Sequence, residues 1–185
     1  MSYDPIVEQY LKAIKPNLSL THCKAGDVLE PLNSVAEIKE TEECDKPFIK
    51  VKRKDEDREI FTYMGVPMIN EFWPFLNALV RTSNGLIHLE EKEREIASNL
   101  AGDVKLFVTP DCTKCPVAAE LLYQVAIMND KVKLEVIDSS VYDELAKKFR
   151  VMSVPKVVVN DKAEVPGGFP PDILLKMILK ATQGQ

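Results

Sequence analysis

The sequence feature that most constrains this chain is a Cys-x-x-Cys motif, Cys112 to Cys115, at the junction of two differently patterned segments. Residues 104–109 form a short run of β-branched and apolar residues, which predicts a strand. From Cys112 to about Asn129, apolar side chains recur at helical spacing, which predicts a helix. The first cysteine is therefore expected where a strand passes into a helix.

The rest of the second half continues this pattern. It predicts a strand at 131–137, a short helix at 141–149, a strand at 156–160, a partner strand beginning at 164 and a final helix at 171–181. The order β-α-β-α-β-β-α predicts an α/β fold with a mixed central sheet flanked by helices.

The first half is a weaker copy of the same order, so the simplest interpretation is two tandem copies of one small fold, the first degenerate. Its predicted elements are helices at 3–14, about 28–33 and 70–82, and strands at 18–22, about 35–39, 47–51 and 59–63. A charged helix at about 89–100 joins the copies. We place the boundary after it, which gives domains of residues 1–100 and 101–185.

Composition limits the classes of function. The chain has 185 residues, with 24 Lys and Arg against 29 Asp and Glu, so no basic surplus exists to neutralise nucleic-acid phosphates. The first residues lack a basic region followed by an apolar run, and no stretch approaches about 18 apolar residues. We therefore expect a cytoplasmic protein with no secretory signal, no membrane span and no nucleic-acid partner.

A cysteine pair at a strand-to-helix junction is suited to disulfide exchange. The N–H groups of a first helical turn have no helical partners, and the helix dipole places partial positive charge there, so a thiolate at Cys112 is stabilised. Cys115 lies about one helical turn further on, and Pro116 is compatible with a first turn. Cys112 is expected to attack a partner disulfide, and Cys115 then releases the reduced partner. Lys114 either adds positive charge or points into solvent.

A Cys-x-x-Cys motif can also be half of a zinc site, which needs two further ligands. The candidates His22, Cys23, Cys44 and His88 form no second pair with zinc-like spacing, so we predict no metal. Cys23 has two interpretations: a residual thiol able to pair with Cys44, or a small, partly buried residue without redox work. We favour the second.

Two segments resemble the active site of the thioredoxin superfamily. Residues 111–116 resemble its active-site turn, and residues 149–155 resemble its cis-proline region, with Pro155 standing 40 residues after Cys115. The resemblance implies a cis peptide bond before Pro155 and a loop packed against the two cysteines.

The same resemblance implies which residues meet a substrate. Val154 would offer backbone hydrogen bonds to the substrate chain, and Pro155, Thr113 and Lys114 complete the predicted substrate-binding set. One departure from thioredoxin itself is Leu106, which stands where thioredoxin has a buried aspartate that helps to move protons. Another is the Thr113-Lys114 pair, which replaces the aromatic residue common in thioredoxin and glutaredoxin motifs.

Within the superfamily, the chain looks most like the tandem glutaredoxin-like proteins. These include the protein disulfide oxidoreductases of thermophiles and the N-terminal domain of the alkyl hydroperoxide reductase flavoprotein, which has a degenerate first half. This likeness implies that residues 45–48 are a vestigial cis-proline loop. It also implies that residues 61–67 and the helix after them close the first copy.

Together these expectations describe a protein dithiol-disulfide oxidoreductase whose redox group is the Cys112/Cys115 pair, with no bound cofactor. The resemblance implies that a flavin-dependent disulfide reductase supplies electrons and that a peroxiredoxin or other disulfide-containing proteins accept them. Two alternatives stay open. One is a disulfide isomerase or oxidase, which the reduction potential would distinguish; the other is a docking module in which the cysteines stay idle.

Overall fold

The described part of the chain, residues 4–183 of the computed structural model, contains eight strands, seven α-helices and two short 3-10 helices. The strands are β1 (Leu18–Cys23), β2 (Glu37–Glu40), β3 (Phe48–Arg53), β4 (Glu59–Met64), β5 (Gly102–Val108), β6 (Val132–Asp138), β7 (Lys156–Val159) and β8 (Ala163–Pro166). The helices are α1 (Pro5–Ala13), α2 (Gly26–Leu29), α3 (Phe72–Asn84), α4 (Glu91–Ser98), α5 (Cys115–Met128), α6 (Asp143–Lys148) and α7 (Pro171–Gln183). None of these helices is long and apolar enough to cross a membrane. Residue 3, where the predicted first helix begins, lies outside the described residues.

All eight strands pair into one mixed sheet, in the order β2-β1-β3-β4-β6-β5-β7-β8. In the first half, β1 is parallel to β2 and antiparallel to β3, and β3 is antiparallel to β4. In the second half, β5, β6, β7 and β8 repeat this pairing in the same order. The prediction of two tandem copies of a mixed α/β fold is therefore confirmed.

Helices cover both faces of the sheet, and apolar side chains fill the space between the helices and the sheet. Helix α5 lies at the centre of one helical layer, with ten of its 14 residues buried, and it contacts α3, α4 and α7. Strand residues alternate between the two faces, so Phe107 belongs to a separate cluster on the other face, with Ile137, Val158 and Phe149. Phe149 directly follows α6, which covers that face.

Helix α4 occupies the predicted junction between the copies. It begins with the reciprocal side-chain capping of Glu90 and Glu93, as expected for a solvated charged helix. Its end is anchored: the side chain of Asn129 donates to the carbonyl oxygens of Ala97 and Leu100, both at 2.8 Å. Because β4 also pairs with β6 in parallel, the sheet continues across the junction, and the division after residue 100 stays a prediction.

Strand directions bring several chain segments to one edge of the sheet. Strands β1, β4, β6 and β5 run parallel to one another, so their carboxyl ends lie on the same side, which we call the carboxyl edge. The Cys-x-x-Cys turn follows β5 at this edge. A short 3-10 turn, Ile69–Glu71, lies between the end of β4 and α3. This arrangement places a segment of the first half beside the redox motif of the second.

Candidate redox site

Cys112 lies between β5 and α5, and a disulfide joins it to Cys115, the first residue of α5, with their Cα atoms 5.5 Å apart. Helix α5 begins at Cys115, three residues later than predicted, so Cys112 stands just before the helix rather than within it. Pro116 occupies the first helical turn, where a missing N–H costs no hydrogen bond.

The backbone at the start of α5 faces the sulfur of Cys112. The N–H of Cys115 donates to Cys112 Sγ at 3.1 Å. A first-turn N–H has no partner inside the helix, and the helix dipole adds partial positive charge at the same point. This contact is therefore placed to stabilise negative charge on Cys112.

The two sulfurs differ in access to solvent. Cys115 is 0% exposed, whereas Cys112 is partly exposed and has the exposed residues Thr113 and Lys114 beside it. An incoming disulfide can therefore reach Cys112, while Cys115 is shielded behind it.

The loop before β7 packs against Cys112. The peptide bond between Val154 and Pro155 is cis, as the resemblance implies, and the carbonyl oxygen of Val154 lies 3.8 Å from Cys112 Sγ. The N–H of Gly167 donates to the carbonyl oxygen of Pro155 at 2.9 Å. A Cβ atom at Gly167 would lie only 2.8 Å from that oxygen, so this close approach requires glycine.

Two shallow cavities flank the Cys-x-x-Cys turn. One, of about 250 Å³, lies between the turn and the segment after β8, and Thr113, Lys114 and Phe169 line it. The other, of about 300 Å³, lies between α3 and α5, and Trp73 and Val117 line it. Trp73 is 37% exposed, Phe169 43% and Val117 54%, so apolar surface is available on both sides of the turn.

The first half of the chain contributes to the site through Asn70, which the sequence did not single out. Its backbone N–H donates to the carbonyl oxygen of Pro110 at 3.1 Å, and its side-chain amide donates to that of Cys112 at 3.3 Å. The preceding residue, Ile69, is 64% exposed and has a φ of 55°, which is unfavourable for a β-branched side chain. The 3-10 turn thus holds the redox turn from outside the second half.

The next residue of that turn, Glu71, is a fully buried carboxyl group that the sequence also did not single out. It is 0% exposed, and neither side-chain oxygen has a hydrogen-bond partner among the described residues. Burial raises the pKa of Glu71 to about 8, and the nearby charge of Asp138 adds to the shift. The buried hydroxyls of Tyr63 and Tyr123 lie in the same region, and burial together with Glu71 raises the pKa of each. Leu106, where thioredoxin has an aspartate, is fully buried and apolar.

The structure pairs Cys23, as the interpretation that we did not favour allows. A disulfide joins Cys23 to Cys44, with their Cα atoms 6.4 Å apart. The physical reason is strand register: Cys23 pairs opposite Phe48 across β1 and β3, so the loop before β3 returns to the end of β1. The predicted vestigial loop at 45–48 does lie there, but among residues 4–183 only the bond before Pro155 is cis.

Comparison with known proteins assigns the family. Residues 3–85 match a family described as a thioredoxin-like domain, and residues 102–180 match one described as a thioredoxin domain. The solved structure of Sso1120 from Sulfolobus solfataricus is 48% identical to this chain. The match covers 90% of this chain and 100% of the Sso1120 chain, with a TM-score of 0.83. The chain belongs to the thioredoxin superfamily, as a tandem of two thioredoxin-like domains.

Two further solved structures share the tandem fold. The alkylhydroperoxide reductase AhpF of Enterococcus faecalis is 16% identical, with a TM-score of 0.81, over 98% of this chain and 100% of that one. A protein disulfide oxidoreductase from Aeropyrum pernix is 18% identical, with a TM-score of 0.74, over 97% of this chain and 92% of that one. At these identities the likeness is one of fold alone.

Curated relatives are longer than this chain. An NADH dehydrogenase of Bacillus subtilis is 23% identical over 139 residues, which is 74% of this chain and 27% of the relative. The alkyl hydroperoxide reductase AhpF of Staphylococcus aureus is 26% identical over 116 residues, which is 62% of this chain and 22% of the relative. The chain thus spans about a quarter of the length of these relatives.

Proposed function

We propose that this protein is a dithiol-disulfide oxidoreductase that exchanges electrons with the disulfides of other proteins through Cys112 and Cys115. The observation that carries the proposal is the placement of this pair. The accessible sulfur, Cys112, lies between a first-turn N–H and the carbonyl oxygen of Val154, and its disulfide partner is buried directly behind it.

The proposed cycle follows from the difference in access. In the reduced protein, the Cys112 thiolate attacks one sulfur of a partner disulfide, and the other partner sulfur leaves as a thiolate. Cys115, once deprotonated, attacks Cys112 Sγ and displaces the first partner sulfur. The partner gains two electrons and two protons, and the protein closes its Cys112–Cys115 disulfide. The cycle needs no bound cofactor.

The substrate chain is proposed to bind in an extended form beside the cis-proline loop. Val154 would hydrogen-bond its backbone, and Pro155 would pack next to the mixed disulfide. Thr113 and Lys114, exposed between the cysteines, would contact the substrate from the other side. The apolar cavity walls at Trp73 and Phe169 support this placement, because they offer contact area near Cys112.

Glu71 is proposed to take the proton of Cys115. That thiol is fully buried, so a protein group rather than bulk water is the suitable acceptor. The raised pKa of Glu71, about 8, is close to the pKa of a free thiol, which is about 8.5. Glu71 follows directly after Asn70, which contacts the carbonyl oxygen of Cys112. The first domain would thus supply the titratable group that is absent at Leu106.

The proposed electron donor is a flavin-dependent disulfide reductase, and the proposed acceptors are a peroxiredoxin or other proteins with accessible disulfides. The similarity to the alkyl hydroperoxide reductases named AhpF supports this assignment. We propose that the exchange takes place in the cytoplasm.

Single cysteine variants test the proposal. Wild-type protein with dithiothreitol is expected to speed the reduction of insulin disulfides, and Cys112→Ser is expected to lose this activity. Cys115→Ser keeps the attacking thiol but not the resolving one. When it is reduced beforehand and mixed with insulin without dithiothreitol, it is expected to accumulate a covalent mixed disulfide, visible on a non-reducing gel. Equal insulin reduction by wild type and Cys112→Ser would refute the assigned nucleophile.

A further inference from the structure

The second disulfide, Cys23–Cys44, lies on the same side of the sheet as the first. Cys23 is the last residue of β1, and Cys112 follows β5, and both strands end at the carboxyl edge. Four strand spacings separate β1 from β5, a distance of roughly 19 Å at about 4.8 Å per spacing. The two disulfides are therefore too far apart for direct exchange but face the same surface of the molecule.

The repeated topology gives Cys23–Cys44 a counterpart in the second domain. Strand β1 pairs with β3 as β5 pairs with β7, with Cys23 opposite Phe48 and Phe107 opposite Lys156. In the second domain, the segment after β5 and the loop before β7 meet where Cys112 approaches Val154. In the first domain, the equivalent segments are the end of β1 and the loop before β3. The Cys23–Cys44 disulfide joins these two segments.

The two cysteines of this disulfide differ in exposure. Cys23 is 1% exposed, whereas Cys44 is partly exposed and lines a cavity of about 440 Å³. The cavity lies between the loop before β3 and helix α6 of the second domain, and Phe48, Tyr142 and Leu145 provide its apolar walls. The charged residues Asp45, Lys46, Glu144 and Lys148 complete the lining. A partly exposed cysteine beside these apolar walls has the arrangement that a cysteine-containing peptide with an apolar neighbour would fit.

The loop that carries Cys44 is held in place by contacts other than the disulfide. Lys46 Nζ pairs with Asp143 at 3.0 Å, and the Tyr142 hydroxyl donates to the carbonyl oxygen of Pro47 at 2.7 Å. Lys24 Nζ donates to the carbonyl oxygen of Asp45 at 3.2 Å. Opening the disulfide would therefore leave the loop docked, with its two thiols still near each other.

We propose that Cys23–Cys44 is a second thiol-disulfide exchange site, which acts on dithiol segments of peptides or proteins that carry an apolar residue beside a cysteine. A substrate thiolate attacks Cys44 Sγ, the bond between the two protein sulfurs breaks, and Cys23 leaves as a thiolate that takes a proton. A second substrate thiolate attacks the mixed disulfide, closes the substrate disulfide and releases Cys44. The substrate loses two electrons and the protein gains them. In the reverse direction, Cys44 attacks a substrate disulfide and Cys23 resolves it.

The experiment uses the full chain with the double substitution Cys112→Ser/Cys115→Ser, which removes the first redox site and leaves Cys23 and Cys44 as the only cysteines. The probes are a dithiol peptide with phenylalanine beside its first cysteine and the small dithiol dithiothreitol. Thiol alkylation and mass spectrometry follow the protein disulfide, and circular dichroism follows the fold. We expect the peptide to convert Cys23–Cys44 to two thiols with the circular dichroism unchanged, and glutathione disulfide to restore the disulfide. Leu145→Ala in the same background is expected to slow the reaction with the peptide about five- to tenfold, and to leave the rate with dithiothreitol unchanged.

Two outcomes would overturn the proposal. One is a disulfide that stays closed in excess dithiol until the circular dichroism is lost, which would make it a purely structural crosslink. The other is a Leu145→Ala variant that reacts with both probes as fast as its parent, which would remove the cavity from the recognition. Insulin reduction by Cys23→Ser/Cys44→Ser measures the Cys112 site separately, so failure at either site is distinguishable. Should that variant not fold, the alkylation measurements in the Cys112→Ser/Cys115→Ser background still decide the question.

Discussion

Cys112 and Cys115 are chemically identical side chains, and their surroundings alone give them different roles in the proposed cycle. Cys112 has solvent on one side and an N–H donor on the other, which suits a thiolate that attacks. Cys115 is 0% exposed, so its proposed reactivity depends on a proton acceptor that packing brings close to it. Glu71 comes from another part of the sequence, and its burial gives it a pKa in the range of a thiol.

The titration of Glu71 predicts how stability depends on pH. Its pKa of about 8 in the folded protein lies above the ordinary value of 4.5, so between these values the folded state holds a proton that the unfolded state releases. The free energy of unfolding therefore falls as pH rises through this window. Glu71→Gln removes this effect. It is expected to raise the free energy of unfolding at pH 8 by up to about 4 kcal/mol, with little change near pH 4, in urea denaturation.

The same variant tests the proposed proton transfer. Stopped-flow mixing measures the rate at which the Cys112–Cys115 disulfide closes after the mixed disulfide has formed. In Glu71→Gln, this rate is expected to fall and to lose its pH dependence near pH 8. Asp138 also faces Glu71, so Asp138→Asn serves as a control and is expected to shift the profile without abolishing it. Identical pH profiles for Glu71→Gln and wild type would show that Cys115 loses its proton by another route.

At the scale of elements, the site is assembled by the segments that meet at the carboxyl edge rather than by any single helix or strand. The 3-10 turn after β4 holds the Cys-x-x-Cys turn through Asn70. The end of β8 supports the cis-proline loop through Gly167. Each contact is made by backbone or short side chains at close range, so small steric changes are expected to move the reacting atoms.

Gly167 and Gly168 form a matched pair for testing this close packing. A Cβ at Gly167 would lie 2.8 to 2.9 Å from atoms of Pro155, mostly backbone, whereas at Gly168 the nearest atom is Lys114 Cδ at 3.9 Å. Gly167→Ala is expected to lower the free energy of unfolding by about 1–3 kcal/mol and to slow insulin reduction, because the cis-proline loop must shift. Gly168→Ala is expected to change the free energy by less than about 0.5 kcal/mol. Equal destabilisation in the two variants would contradict the close contact at Pro155.

Features that depend on neighbouring residues could be predicted from the sequence, whereas features that depend on residues far apart in the chain could not. The Cys-x-x-Cys turn and the proline before β7 are local patterns with a known counterpart, and both were found. Glu71 and Asn70 reach the site only because β4 pairs with β6, and no local pattern encodes that pairing. Cys44 meets Cys23 because of the β1–β3 register, which fixes the path of the loop between β2 and β3.

At the scale of the whole molecule, the two domains share one sheet and one helical layer. Helices α3 and α5 meet through Glu120, which accepts from Arg81 at 2.6 Å and from Asn77 at 2.7 Å. The side chain of Arg81 is 16% exposed and that of Glu120 27%, so this contact is largely shielded from water. A domain separated at the junction would expose the edge of β4 or β6 and the apolar surface between the helices. The two copies are therefore expected to fold and unfold as one cooperative unit.

Denaturation measured by two local probes tests this coupling. Fluorescence of Trp73, the single tryptophan, reports on the first domain, and hydrogen exchange of amides in β5 and β7 reports on the second. Glu120→Ala leaves Arg81 and Asn77 without their shared partner and is expected to cost about 1–3 kcal/mol. Because the sheet is continuous, both probes are expected to shift by the same amount. Glu37→Ala removes the exposed Glu37–Lys39 pair and is expected to shift neither probe by more than about 0.5 kcal/mol. If Glu120→Ala destabilised only the amides of β5 and β7, the domains would be separate folding units, and the first would hold its half of the redox site independently.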